Sequence, residues 1–119
     1  MTPDILIGID AGTSVIKSIA FTLAGDLIAA APVPNTYEVL RNGGAEQDMA
    51  RTWTDVARTL RDLAQKIPDL ARRTVAIAVT AQGDGTWLID AAGEPVAPSR
   101  LWLDVRATAI AEEVVAGPD

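Results

Sequence analysis

Apolar residues follow one another without alternation in two places along this chain, Ile5-Leu6-Ile7-Gly8-Ile9 and Thr74-Val75-Ala76-Ile77-Ala78-Val79. A strand with one wet face alternates apolar and polar side chains. Unbroken runs therefore predict two strands covered on both faces, adjacent, parallel and central in their sheet. Between them the pattern changes. After the turn "DAGTS", Val15 to Thr22 predicts a second strand in which Lys17 interrupts the apolar sequence. "LAGD" (23–26) is a hairpin signal, and a third strand follows over about Leu27 to Pro34. Pro32 and Pro34 put that strand at a sheet edge, because proline has no N–H for a ladder. "NTYEVLRNGGAEQD" reads as loop. Trp53, Val56, Leu60, Leu63 and Ile67 then fall on one helical face, with Asp48 as N-cap, Pro68 as the stop and Trp53 counted in the core. Further on, "TWLID-AAGE-PVAP" predicts a short hairpin, and a last helix is expected from about Asp104 to Ala116. The order is β-β-β-α-β, hairpin, α. It predicts an α/β fold with a mixed sheet of about five strands and flanking helices.

Composition narrows the chemistry. The 119 residues suffice for one domain, with 49% apolar and 22% charged residues, both ordinary for a globular chain. A net charge of −6 argues against nucleic acid as a partner, since phosphate backbones call for clustered Lys and Arg. Nucleotides stay open, because backbone amides and a metal can hold them. There is no cysteine and no histidine. Disulfides, Cys/His zinc sites and His-based nucleophile pairs are thereby excluded. What remains is carboxylates, Lys and Arg, hydroxyls, backbone amides, or a hard cation such as Mg²⁺. The N-terminus has no signal-peptide pattern and no apolar run reaches the ~20 residues of a membrane helix. A cytoplasmic protein without membrane contact is expected. "VVAGPD" follows a helix directly, so the chain is expected to be a piece of something longer.

Four stretches carry candidate chemistry. In "GIDAGTSVIK" a strand delivers Asp10 to its C-terminal end, and Gly12-Thr13-Ser14 forms a turn whose N–H groups can face a phosphate. Asp10 can hold Mg²⁺ through water, Thr13 can donate a hydroxyl and Lys17 supplies positive charge. A plain β-turn is the competing explanation. "AEQDMARTW" is explained by structure, although Glu46 and Gln47 could project from a loop towards a cleft. "AQGDGTW" offers a tight turn or a pocket floor. Gln82, Asp84 and Trp87 favour the pocket, because carboxylates and amides suit vicinal hydroxyls and an aromatic face covers C–H groups. "LWLDVRA" repeats that chemistry in Trp102, Asp104 and Arg106, against a helix start capped by Asp104.

"GIDAGTSVIK", "EQD…W", "AQGDGTWLID" and "LWLDVRA", in this order over about residues 5 to 116, resemble the start of an FGGY-family carbohydrate kinase. The resemblance implies an actin-like, ribonuclease-H-like fold, here truncated to an N-terminal domain over residues 1–119. It implies an enzyme that transfers the γ-phosphoryl group of ATP to a sugar or polyol hydroxyl. It places Asp10, Gly12, Thr13 and Lys17 near the phosphates, with Mg²⁺ on Asp10 through water. It places Gln82, Gly83, Asp84, Trp102 and Asp104 at the substrate. "QGDGTWLID" is nearest in type to the family's erythritol, polyol and pentulose kinases. Glycerol kinases carry Arg-Glu where this chain has Gly83-Asp84, and xylulose kinases carry Met-His, so the substrate stays open. The catalytic base and the adenosine-binding C-terminal domain of such kinases are expected outside these residues. The isolated chain is expected to be inactive and to self-associate through uncovered apolar surface, the last helix being the segment most readily displaced. The alternative is a non-catalytic actin-like assembly domain.

Overall fold

In the computed structural model, which describes residues 2–117, the chain forms two compact units. Met1–Thr36 and Ala50–Gln82 make the first, and Tyr37–Met49 and Gly83–Asp119 the second.

The first unit is a four-stranded sheet in the order β3-β2-β1-β6. Its strands are β1 (Ile5–Ala11), β2 (Val15–Thr22), β3 (Leu27–Pro34) and β6 (Thr74–Ala81). β1 pairs antiparallel with β2 and parallel with β6. The "LAGD" turn closes the β2–β3 hairpin, with Gly25 at a φ of 94° that L side chains rarely adopt. Helix α1 (Met49–Lys66) and the single-turn α2 (Leu70–Arg73) lie between β3 and β6 in sequence. Ile5, Ile7 and Ile9 of β1 join Ala20, Ala31, Leu63, Ile67 and Leu70 in the core, with Val56 and Leu60 packed against it. Alternation on β1 and β2 thus sends one set of side chains to α1 and leaves Gly8, Asp10, Lys17 and Ile19 on the other face.

Three sequence expectations are corrected here. β1 and β6 are adjacent and parallel as expected, but β6 is an edge strand. Val75, Ile77 and Val79 are 52%, 53% and 68% exposed. An unbroken apolar run says that both faces suit a cover; it does not supply one. The main sheet has four strands rather than about five. Trp53 is 76% exposed instead of buried. Burial along α1 is complete only at Thr59 and Leu63, so the periodicity gave the apolar face but not where along the helix the sheet covers it.

The second unit holds a separate three-stranded antiparallel sheet of β4 (Glu38–Val39), β5 (Ala45–Gln47) and β7 (Ser99–Arg100), in the order β4-β5-β7. The stretch read as loop therefore contains a hairpin, turned at Gly43 (φ 83°) and closed by the Leu40 amide on the Gly44 carbonyl. Strands of two or three residues are too short for a period-2 signal. Residues 88–96 turn back through an isolated bridge between Ile89 and Pro95, with Gly93 at φ 82°. The last helix, α3, spans Thr108–Ala116 and starts after Asp104 instead of at it, since that carboxylate is engaged elsewhere. Among the described residues no helix is long and apolar enough to cross a membrane.

Candidate functional site

At the β1–β2 turn the main chain closes by the Gly12 amide donating to the Val15 carbonyl at 3.0 Å. A Cβ on Gly12 would lie 2.9 Å from that same carbonyl oxygen, so only glycine fits. Two further residues hold the turn from outside. The buried Asn35 donates its side-chain amide to the Gly12 carbonyl (2.8 Å) and its backbone N–H to Ser14 O (2.8 Å). Thr13 Oγ1 donates to Gln82 Oε1 at 3.0 Å, tying the turn to the end of β6. Asp10 and Lys17 face each other in register across the hairpin, with Nζ 3.5 Å from Oδ2. Both side chains are about two-fifths exposed, 42% for Lys17 and 40% for Asp10. That pair is long and wet, so either member can exchange its partner for a ligand at little cost. They border an open depression of about 280 Å³ on the sheet face away from α1, with Gly8, Ile19, Ala78 and Thr80.

No group of three or more acidic side chains among the described residues could cage a metal. The donor set at this turn is a single carboxylate beside free solvent. That fits Mg²⁺ held through its own water, which prefers few protein oxygens and shares the rest with phosphates.

In the second unit, Asp84 sits at φ 58°, the left-handed region that Asp and Asn tolerate best among residues with a Cβ. Its exposed carboxylate makes no hydrogen bond or ion pair among the described residues. The two flanking glycines differ. Nothing lies within 4 Å of a Cβ on Gly83, whereas one on Gly85 would meet the Arg100 carbonyl at 2.7 Å and Trp87 Nε1 at 2.8 Å. Gly85 therefore lets the Trp87 ring and β7 approach; it does not hold a floor open. Trp102 is exposed and Trp87 half-buried.

Asp104 is committed. Its carboxylate accepts from the Ala45 amide (2.9 Å), the Arg106 amide (3.0 Å) and the Arg106 guanidinium (2.6 Å), which also reaches Glu46 at 2.9 Å. The Arg106 guanidinium first, then the Ala45 N–H, holds the Asp104 carboxyl well below the usual carboxylate range. Arg106 is correspondingly pushed up by Asp104 and Glu46. Gln47 is buried at 3%, as the structural explanation of its stretch requires and against a projection towards a cleft, and its backbone carbonyl accepts from Ser99 Oγ.

The structure thus gathers Asp10, Gly12, Thr13 and Lys17 at one turn, with Gln82 bonded to it. Gly83 and Asp84 lie in the loop after β6, Trp102 and Asp104 in the segment after β7. Asn35 was missed by sequence reasoning, its only local signal being a polar residue that closes the Pro-rich third strand. The Glu46–Arg106 contact spans sixty positions and leaves no local pattern.

The N-terminal domain of the FGGY family of carbohydrate kinases matches residues 5–117. Over 115 residues the chain is 53% identical to the erythritol kinase of Brucella abortus (strain 2308), covering 97% of this chain and 22% of that protein. It is 30% identical over 112 residues to the xylulose kinase of Streptomyces coelicolor, covering 93% and 22%. The crystal structure of xylulose kinase from Rhodospirillum rubrum superposes with a TM-score of 0.87 at 29% identity, over 95% of this chain and 23% of that one. The chain spans about a fifth of these relatives, and its sheet and helices have the actin-like, ribonuclease-H-like fold that they share.

Proposed function

We propose, since the chain belongs to the FGGY family of carbohydrate kinases, that it is the N-terminal part of an ATP-dependent kinase that phosphorylates a polyol or sugar hydroxyl. The observation that carries this reading is the 53% identity to an erythritol kinase along nearly the whole chain, which makes a linear polyol the favoured substrate class. Phosphoryl transfer needs positioning and charge neutralisation more than covalent chemistry from the protein. The β1–β2 turn suits the first half of that task. Gly12 lets backbone N–H groups come close to phosphate oxygens, Lys17 offers a mobile cation, and Thr13 offers a hydroxyl. Asp10 is the residue that would hold Mg²⁺ through water, and the ion, when bound, neutralises phosphate charge. In the second unit Asp84 is an uncommitted carboxylate beside the open Gly83, suited to accept hydrogen bonds from vicinal hydroxyls. The exposed face of Trp102 suits the carbon skeleton. Asp104 serves this arrangement as an anchor with its oxygens already engaged, and Gln82 as the partner of Thr13. The catalytic base and the adenosine site belong, on this reading, to other parts of the whole kinase.

The test is a chimera in which this chain replaces the matching segment of the Brucella abortus erythritol kinase. A folded chimera should phosphorylate erythritol with ATP and Mg²⁺. Activity on D-xylulose but not erythritol would move the substrate class to ketoses. A folded chimera that phosphorylates neither would overturn the reading.

A further inference from the structure

Asn35 stands one position past the end of β3 and is only 7% exposed. Its backbone has an ordinary task. Pro34 pairs with Val15 where the alternating ladder asks for no N–H, and the Asn35 N–H then adds one more bond, to the Ser14 carbonyl at 2.8 Å. The side chain goes further, donating from Nδ2 to the Gly12 carbonyl at 2.8 Å. The β2–β3 ladder has no use for that second bond. The chain reversal at Gly12 does. Thr13 and Ser14 form a bend, not a hydrogen-bonded turn. Gly12, which has no room for a Cβ, is also where a peptide unit reorients most easily, since glycine adopts both signs of φ.

We propose that Asn35 is a positioning residue for phosphate, acting by fixing the direction of the Gly12–Thr13 peptide; the inference rests on the kinase reading above. The peptide bonds described are all trans, so the carbonyl and the N–H of one unit point opposite ways. Pinning the Gly12 oxygen on the buried Asn35 therefore turns the Thr13 N–H edge of that unit away from Asn35. It also keeps the oxygen from facing an anion. Without the pin, the unit can present its oxygen instead, and a carbonyl repels phosphate where an N–H attracts it. The competent orientation is then populated only in part, and apparent phosphate affinity falls by that fraction. One neutral hydrogen bond shifts such an equilibrium by a few-fold to about ten-fold. The loss is partial because Asp10 and Lys17 are set by the β1–β2 register and not by this peptide.

The test uses the erythritol-kinase chimera. Asn35→Leu keeps the side-chain volume and the backbone bond to Ser14 and removes only the donor. It should raise the KM for MgATP roughly three-fold to ten-fold. The kcat, the KM for erythritol and the inhibition constant of adenosine, which has no phosphate, should stay within about two-fold, because ligands blind to the peptide's direction do not sense its populations. Asn35→Ala should act in the same direction. Ser18→Ala is the control for a merely structural role. It removes another buried hydrogen-bonding group of this sheet, at 0% exposure, whose hydroxyl meets Thr59 and not the Gly12 reversal. It should lower the melting temperature without raising the KM for MgATP. An unchanged MgATP KM in both Asn35 variants overturns the inference, as does an equal weakening of MgATP, erythritol and adenosine, or a rise that Ser18→Ala matches. Failure of both Asn35 variants to fold also overturns it, because Asn35 would then serve the fold and not the phosphates. A parent chimera inactive on either substrate fells the kinase reading and this inference with it; an active parent with any of the other results fells the inference alone.

Discussion

Asp84 can be asked one question at a time, because its backbone and its charge separate. Asn adopts the left-handed region as readily as Asp, so Asp84→Asn keeps the turn at φ 58° and removes only the carboxylate. Asn keeps one acceptor oxygen, so the variant loses the equivalent of one charge-assisted hydrogen bond to a hydroxyl, about 1.5–3 kcal/mol. In the erythritol-kinase chimera the variant should therefore bind polyol roughly ten-fold to a few hundred-fold more weakly, at an unchanged melting temperature and ATP affinity. Unchanged polyol affinity would reduce Asp84 to a turn residue. The flanking glycines give a second comparison, read by urea denaturation. Gly85→Ala forces a Cβ to 2.7 Å from a backbone carbonyl that cannot swing aside, and should cost about 1–3 kcal/mol. Gly83→Ala meets nothing within 4 Å and should stay within about 0.5 kcal/mol. Equal losses at the two positions would contradict the packing of Trp87 on Gly85.

Between β2 and α1 the contact is a buried pair of hydroxyls, Ser18 Oγ and Thr59 Oγ1, 2.7 Å apart and both 0% exposed. Thr59 already donates its proton to the Val56 carbonyl at 2.8 Å, so Ser18 is the donor of the pair. The two truncations then differ. Thr59→Val strands a buried donor on Ser18 and should cost roughly 1–3 kcal/mol, whereas Ser18→Ala leaves Thr59 still bonded to Val56 and should cost less. The double variant should cost less than the sum, because removing both partners leaves no orphan. Additive losses in a thermal or urea cycle would refute the assigned direction. This clasp was invisible in the sequence, where no local pattern singles out Ser18 or Thr59. What was legible was whatever repeats locally: the ends of β2 and β3, the "LAGD" turn, the Leu60-Leu63-Ile67 stripe and the prolines of an edge. What was not legible depends on which surfaces meet. Trp53 sits on the apolar line of α1 without cover, and the Val75-Ile77-Val79 row looks interior while lying on an edge. The candidate site divides in the same way. Asp10, Gly12, Thr13 and Lys17 are near neighbours in sequence and came together at one turn, while Asn35 and the Glu46–Arg106 contact depend on tertiary pairing.

Across the whole molecule, the absence of histidine removes the side chain whose ordinary titration falls between pH 5 and 8. The resolved carboxylate shifts lie lower. Asp104, gripped by Arg106 and the Ala45 amide, is held below its ordinary value of 3.8, and so is Asp4, paired with Arg73 at 2.8 Å. A depressed folded-state carboxylate binds fewer protons than the same group in the unfolded chain. Its contribution is fully present above the unfolded value and is lost as pH falls through the folded one. The raised Arg106 and Arg73 stay charged at any ordinary pH and add no slope there. These groups therefore give flat stability from about pH 8 down to 5 and a fall that begins near pH 4. The loss should be concentrated in the second unit. Asp104 is 7% exposed and joins Ala45 of β5 to the segment that carries Arg106, whereas Asp4 is 50% exposed and screened by water. Amide exchange followed from pH 7 to pH 3 should show Ala45 and Arg106 losing protection before the β1 amides of the Ile5–Ile9 core. Asp104→Asn should abolish that acid-dependent step, leaving the second unit weakened and pH-insensitive from pH 5 down to 3. If β1 and Ala45 instead lost protection together at every pH, the Asp104–Arg106–Glu46 cluster would not be the acid-labile element of the chain.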